Sequence, residues 1–141
     1  MDEEKEIITL HSMLTKINKL KQHKRKVDLV KEYKSNFAFR TVLQGNFVDN
    51  IKFPFPPGPP PYIPKPEKES VELNPKLFNF ARCFDRSEHQ WQRERYFTSI
   101  LENVDAKDAK IIIAMKDKKL TELYPTITKE LIKEAIPGLI R

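Results

Sequence analysis

Few side chains in this chain could make or break bonds. The single cysteine, Cys83, follows Arg82 and precedes Arg86 by three positions, a placement that would lower a thiol pKa. Phe80 and Phe84 flank it as well, so a small buried thiol is the expected state. One cysteine allows neither an intrachain disulfide nor a Cys-rich zinc site. His11, His23 and His89 share no ligand spacing with one another or with a carboxylate, so no metal is expected. A phosphate-cradling loop needs several glycines close together, and only Gly45, Gly58 and Gly138 exist. No catalytic residue and no cofactor is therefore expected, and the chain reads as non-enzymatic.

Three features suit contact rather than catalysis. Lys16, Lys19, Lys21, Lys24, Arg25 and Lys26 form a basic run with no acid among them. Such a run can hold phosphates, with an affinity that falls steeply in salt, although lysines also favour helix ends for the dipole alone. A second set, Arg82, Arg86, Arg93 and Arg95, surrounds Trp91 and Tyr96, and arginine forks beside aromatics suit a nucleic acid or an acidic protein surface. Trp91 and Phe97 lie about 240° apart on an ideal helix, so one of them could leave the core. Burial of both beneath the proline-rich segment is the expected arrangement. The third feature is that segment, FPFPPGPPPYIPKP from Phe53 to Pro66, which holds most of the eleven prolines. Pro59-Pro60-Pro61-Tyr62 fits the PPxY pattern of WW ligands, but Phe53, Phe55 and Tyr62 make packing on the protein's own helices the expected use.

Composition bounds these readings. The chain has 141 residues, 39% hydrophobic and 33% charged, with a net charge of +6. That length supports one modest core, and that charge favours anionic partners without choosing among them. Four acids precede the first apolar residue, unlike a secretory signal, and no apolar run reaches the roughly 18 residues of a membrane span. A soluble protein of a reducing cytoplasm, with no membrane partner, is expected.

The elements that must position these residues read as an all-α fold of six or seven short helices around an extended proline strap. Residues 1–52 form an N-terminal helical part, 53–73 the strap, and 74–141 a C-terminal helical cluster, together one compact domain. A first helix is predicted from Glu3 to Lys21 on the stripe Ile7, Leu10, Leu14 and Ile17, with Asp2, Glu3, Glu4 and Glu6 at its start. A second covers Arg25 to Lys34. Asn36 caps a third over Phe37 to Gln44, with Gly45 as its left-handed terminator. Proline excludes helix and central strand from the strap and leaves polyproline II. Asn74-Pro75 opens a helix to Cys83, and Ser87 with Gln90 forms a capping box for the next, to about Asn103. Asp105 with Asp108 in the capping-box position opens a helix to about Lys118. Thr128 caps the last helix, stapled by Ile127 and Ile132 and ended by Pro137-Gly138. Leu101, Val104, Ile112, Met115, Leu120, Leu123, Leu131 and Ile132 should form much of a second core.

Three blocks in this order, FAFRTVLQGNFVDNIKFPFPPGPPPY, QRERYFTSILENVDAKDAKIIIAMKDKKL and YPTITKELIKEAIPGLI, resemble an uncharacterised family of small proteins from large contractile-tailed, often marine, bacteriophages. The resemblance covers roughly residues 26 to 140 and implies a phage origin, with no catalytic residues to transfer. It argues against a WW ligand, since bacterial hosts lack those domains. Two functions follow as expectations. The first is an accessory protein in the host cell cytoplasm that binds nucleic acid, or a phage or host protein of nucleic-acid machinery, through the two basic sets. The second is a virion or assembly component that docks on another phage protein through the first helix and the strap.

Overall fold

The computed structural model describes residues 9–65 and 79–140. Among them are the helices α1 (Leu10–Lys19), α2 (His23–Tyr33), α3 (Phe37–Phe47), α4 (Phe80–Cys83), α5 (Gln90–Asn103), α6 (Ala106–Lys116), α7 (Leu120–Leu123) and α8 (Lys129–Ala135). Extended pairing among the described residues is limited to one isolated parallel bridge between Lys65 and Asp105. The fold is all-α.

Local chemistry sets most helix starts. Thr9 has an extended backbone, and its hydroxyl accepts from the Ser12 N–H at 3.1 Å, so α1 begins at Leu10 rather than near Glu3. The acids expected at that start, and Ile7, lie outside the described residues. Leu10, Met13, Leu14 and Ile17 are buried, as their spacing requires. Asn36 caps α3 by accepting from the Phe39 N–H at 3.0 Å. Thr128 caps α8 through Leu131, and its staple residues Ile127 and Ile132 are both buried. Asn79, with an extended backbone, caps the single turn of α4, so no helix runs unbroken from Asn74, which itself lies outside the described residues.

Three expected caps are corrected. Ser87 does not open α5; its hydroxyl is held by Asp85 at 2.7 Å, and the helix starts two residues later with Gln92 accepting from the His89 N–H at 2.8 Å. The spacing of Ser87 and Gln90 fits a box, but Asp85 competes for the serine. Gly45 does not end α3, which continues to Phe47. Its missing side chain instead lets α6 approach: a Cβ there would stand 2.5 Å from the Met115 Sδ. Asp108 does not reach back to Asp105. Its carboxylate crosses to α1 and accepts from the Leu10 N–H at 3.2 Å and the His11 N–H at 2.9 Å, two donors that the first turn of a helix leaves without partners.

Both halves of the chain share one core. Leu14, Ile17, Val30, Phe39 and Leu43 pack in the same buried cluster as Phe97, Leu101, Ile112, Met115 and Ile132. α3 and α1 lie on α6, and α2 lies on α8, so a second core does not stand apart from the first. Of its expected members only Leu123, 47% exposed, faces outward.

Two outcomes follow. Gly45→Ala should destabilise by about 1–2 kcal/mol, because overpacking outweighs the helix propensity gained. In a Met115→Ala background the same change should become neutral or stabilising, as a denaturant double-mutant cycle will read. Asp108→Ala should cost about 2–3 kcal/mol by leaving two helix-end donors bare. Burial holds the Asp108 carboxyl above its ordinary 3.8 against the pull of its two backbone hydrogen bonds. The folded chain therefore binds that proton more tightly than the unfolded one. The resulting stability is fully present below pH 3.8 and is lost as pH rises through the folded value. Asp108→Asn should flatten that part of the stability–pH profile.

Candidate nucleic-acid interface

Proline removes N–H groups from the strap, so its carbonyls and few remaining donors must find side-chain partners. Gln90 Nε2 donates to the Pro54 carbonyl at 2.6 Å and Lys116 Nζ to the Pro56 carbonyl at 2.7 Å. The Gly58 N–H donates to Asp117 Oδ2 at 2.9 Å and the Ile63 N–H to Glu102 Oε2 at 2.8 Å. Phe53 and Phe55 complete the attachment. Their rings meet Phe97 at 6.2 and 5.1 Å between centroids, and Phe53 meets Phe84 at 5.1 Å. Tyr62 is half-buried against the same core. Phe53, Phe55 and Tyr62 thus pack on the protein's own core, whereas Ile63 is exposed.

The turn after α6 anchors this arrangement. Lys116 is buried to 1% side-chain exposure and pairs with Asp117 at 2.6 Å. Lys118 takes a left-handed backbone, φ 58°, and its N–H bonds to the Met115 carbonyl while that of Lys119 bonds to Ala114. Its Nζ then reaches the Gly45 and Val48 carbonyls at 3.0 and 2.9 Å, which closes the end of α3. Desolvation lowers the pKa of that ammonium. Local spacing does not reveal these roles, because the strap and α3 partners lie 59 to 73 residues away. The available signal was the strap itself, whose carbonyls demand donors.

Strap and turn hold α5 so that one face looks outward. Phe97 is 2% exposed and Trp91 59%, so the expected burial of both is corrected: six residues leave the two side chains about 120° apart around α5, and only the Phe97 side meets the core. Trp91 lines an open groove with Arg82, Arg95 and Tyr96. The His89 ring lies parallel to the indole at 6.5 Å. Arg82 stacks on Tyr96 at 4.5 Å and meets Glu88 at 3.4 Å. Arg93 is committed elsewhere: its Nη1 donates to the Asp85 and Glu88 carbonyls, both at 2.8 Å, and holds the turn before α5. Arg86 and Arg95 are exposed. Cys83, beside this surface, is fully buried, and desolvation pushes its thiol up to about 12 against a small opposing pull from Arg82.

The other basic set occupies a different place. Lys16 and Lys19 end α1, Lys21 lies in the turn, and Lys24, Arg25 and Lys26 begin α2. All are exposed except the half-buried Lys26, and none has an ion-pair partner among the described residues. α2 rests on α1 and α8, whereas α5 rests on α4 and α6, so the two sets are not gathered on one pair of helices. No helix of the described residues is long and apolar enough to cross a membrane.

The model of a family of unknown function (DUF6433) matches residues 13–122. That span runs from α1 through the strap and the turn after α6, more than three quarters of the chain, and the chain belongs to this family. Comparison with curated proteins and with solved structures returns no match.

The anchoring turn can be tested directly. Asp117→Ala leaves the buried Lys116 ammonium without its counter-ion and the Gly58 N–H without its acceptor, so about 3–5 kcal/mol of stability should be lost. Chemical denaturation measures the loss, and faster proteolysis within the strap should accompany it.

Proposed function

We propose that this member of the DUF6433 family is a non-enzymatic accessory protein that binds single-stranded nucleic acid. Trp91 supplies a stacking surface, and the cations of Arg82, Arg95 and the α1–α2 turn supply phosphate contacts. The observation that carries the reading is the exposure of Trp91, 59%, between Arg82 and Arg95. A large aromatic left in water beside guanidinium groups matches the chemistry of unpaired bases, which stack on π faces while cations follow the backbone. Six cations at the α1–α2 turn, without acidic partners among the described residues, extend the favourable field.

The blocks that resemble proteins of large contractile-tailed bacteriophages support a place in the cytoplasm of an infected host, on phage or host nucleic-acid machinery. The competing reading is a virion or assembly component docked through the first helix and the strap. Two observations weigh against it. The apolar face of α1 lies inside the core, and Phe53 and Phe55 are engaged by Phe84 and Phe97.

Titration of a single-stranded oligonucleotide at rising salt tests the proposal. Lys24, Arg25 and Lys26 changed together to Glu should sharply weaken binding and reduce the slope of log K against log salt by about two or more. Trp91→Ala should cost about 1–3 kcal/mol of affinity while leaving that slope in place. No retention at low salt, with the protein recovered instead in purified particles, would hand the case to the structural reading.

A further inference from the structure

The strap covers a cavity of about 330 Å³ that the groove at Trp91 does not account for. Strap residues 55–61 form one wall, and Phe97 and Thr98 with Glu94, Arg95 and Lys116 form the other. Its size lies at the small end of ligand pockets, enough for one flat ring system. The prolines of this wall offer no N–H donors and the Gly58 N–H is spent on Asp117, so the wall is largely apolar apart from its carbonyls.

The polar groups in this cavity are specific. Glu94 is half-buried, and among the described residues its carboxylate has only a long contact, from Gln90 Nε2 to Oε1 at 3.4 Å. Lys116 spends two of its three N–H donors on the Pro56 carbonyl and Asp117. Its side chain is 1% exposed, so it lines the cavity without presenting a donor to a ligand. An acceptor within apolar walls fits a flat ring that carries an exocyclic amine. Arg95 lines both this cavity and the Trp91 groove, so one guanidinium could hold the phosphate between two neighbouring nucleotides.

We propose that the cavity under the strap receives one unstacked, amino-bearing base, cytosine in particular, from the strand whose neighbouring base stacks on Trp91. The inference rests on the nucleic-acid reading above and adds to it a base preference. Glu94 accepts from the exocyclic amine, and the prolines and Phe97 enclose the ring. Thymine presents a keto oxygen where cytosine presents the amine, so it is disfavoured at Glu94.

Trp91 is the one tryptophan of the chain, and its fluorescence in the full-length protein reports binding. Oligo(dC) and oligo(dT) of about twelve nucleotides serve as probes at low salt. Oligo(dC) should bind about tenfold more tightly, the effect of one well-formed base contact. Glu94→Gln, a conservative change on a half-buried side chain, should lower oligo(dC) affinity to near the oligo(dT) value. Thr98→Met, which fills the cavity, should weaken oligo(dC) several-fold, with the thermal midpoint of each free variant measured alongside. Equal binding of the two probes, with Glu94→Gln indistinguishable from the parent, would overturn the pocket and leave the Trp91 reading standing. No quenching by either probe would overturn both.

Discussion

The fold depends on how the turn from Lys116 to Leu120 satisfies backbone groups that would otherwise be buried bare. Lys116 and Asp117 take one carbonyl and one N–H from the strap, Lys118 takes two carbonyls from the end of α3, and the Leu120 N–H donates to Asn46 Oδ1 at 3.1 Å. A left-handed lysine costs about 1 kcal/mol or more relative to glycine, so the position would suit Gly if its backbone alone mattered. The side chain explains the lysine, because only a long cation can cap another helix from that place. Three consecutive polar residues and the Leu120 N–H thereby join three parts of the chain that are remote in sequence.

The same economy governs the N-terminal half. Asp108 serves α1 rather than its own helix, and Gly45 exists for the approach of Met115 rather than for a turn. A small core of moderate apolar content gains stability from close packing and from satisfied polar groups, since it lacks area to spare. These long-range hydrogen bonds tie the halves together through the centre, while the phenylalanine cluster ties the strap to α4 and α5.

The consequence for function lies in which polar groups remain unspent. Arg93 and Lys116 to Lys118 are committed to the fold, and Arg82 is partly so through Glu88 and Tyr96. Arg86, Arg95, Trp91 and the six cations near the first turn are not used in this way. A charge count treats all of these alike, and the structure separates them. Under the proposed reading, the uncommitted ones do the binding.

The sequence alone determined whatever depends on near neighbours along the chain. The burial stripe of α1, the caps at Asn36, Asp105 and Thr128, the staple at Ile127 and Ile132 and the absence of helix from residues 53–65 all follow from residues within a few positions of one another. Tertiary structure decided the competitions. Ser87 had two possible partners and took Asp85, Asp108 had its own helix and a foreign one and took the foreign one, and of Trp91 and Phe97 only Phe97 met the core. Local spacing offers each residue its options at nearly equal free energy. Only the packed neighbour, often more than fifty residues away, shifts the balance by the kilocalorie or two that selects one.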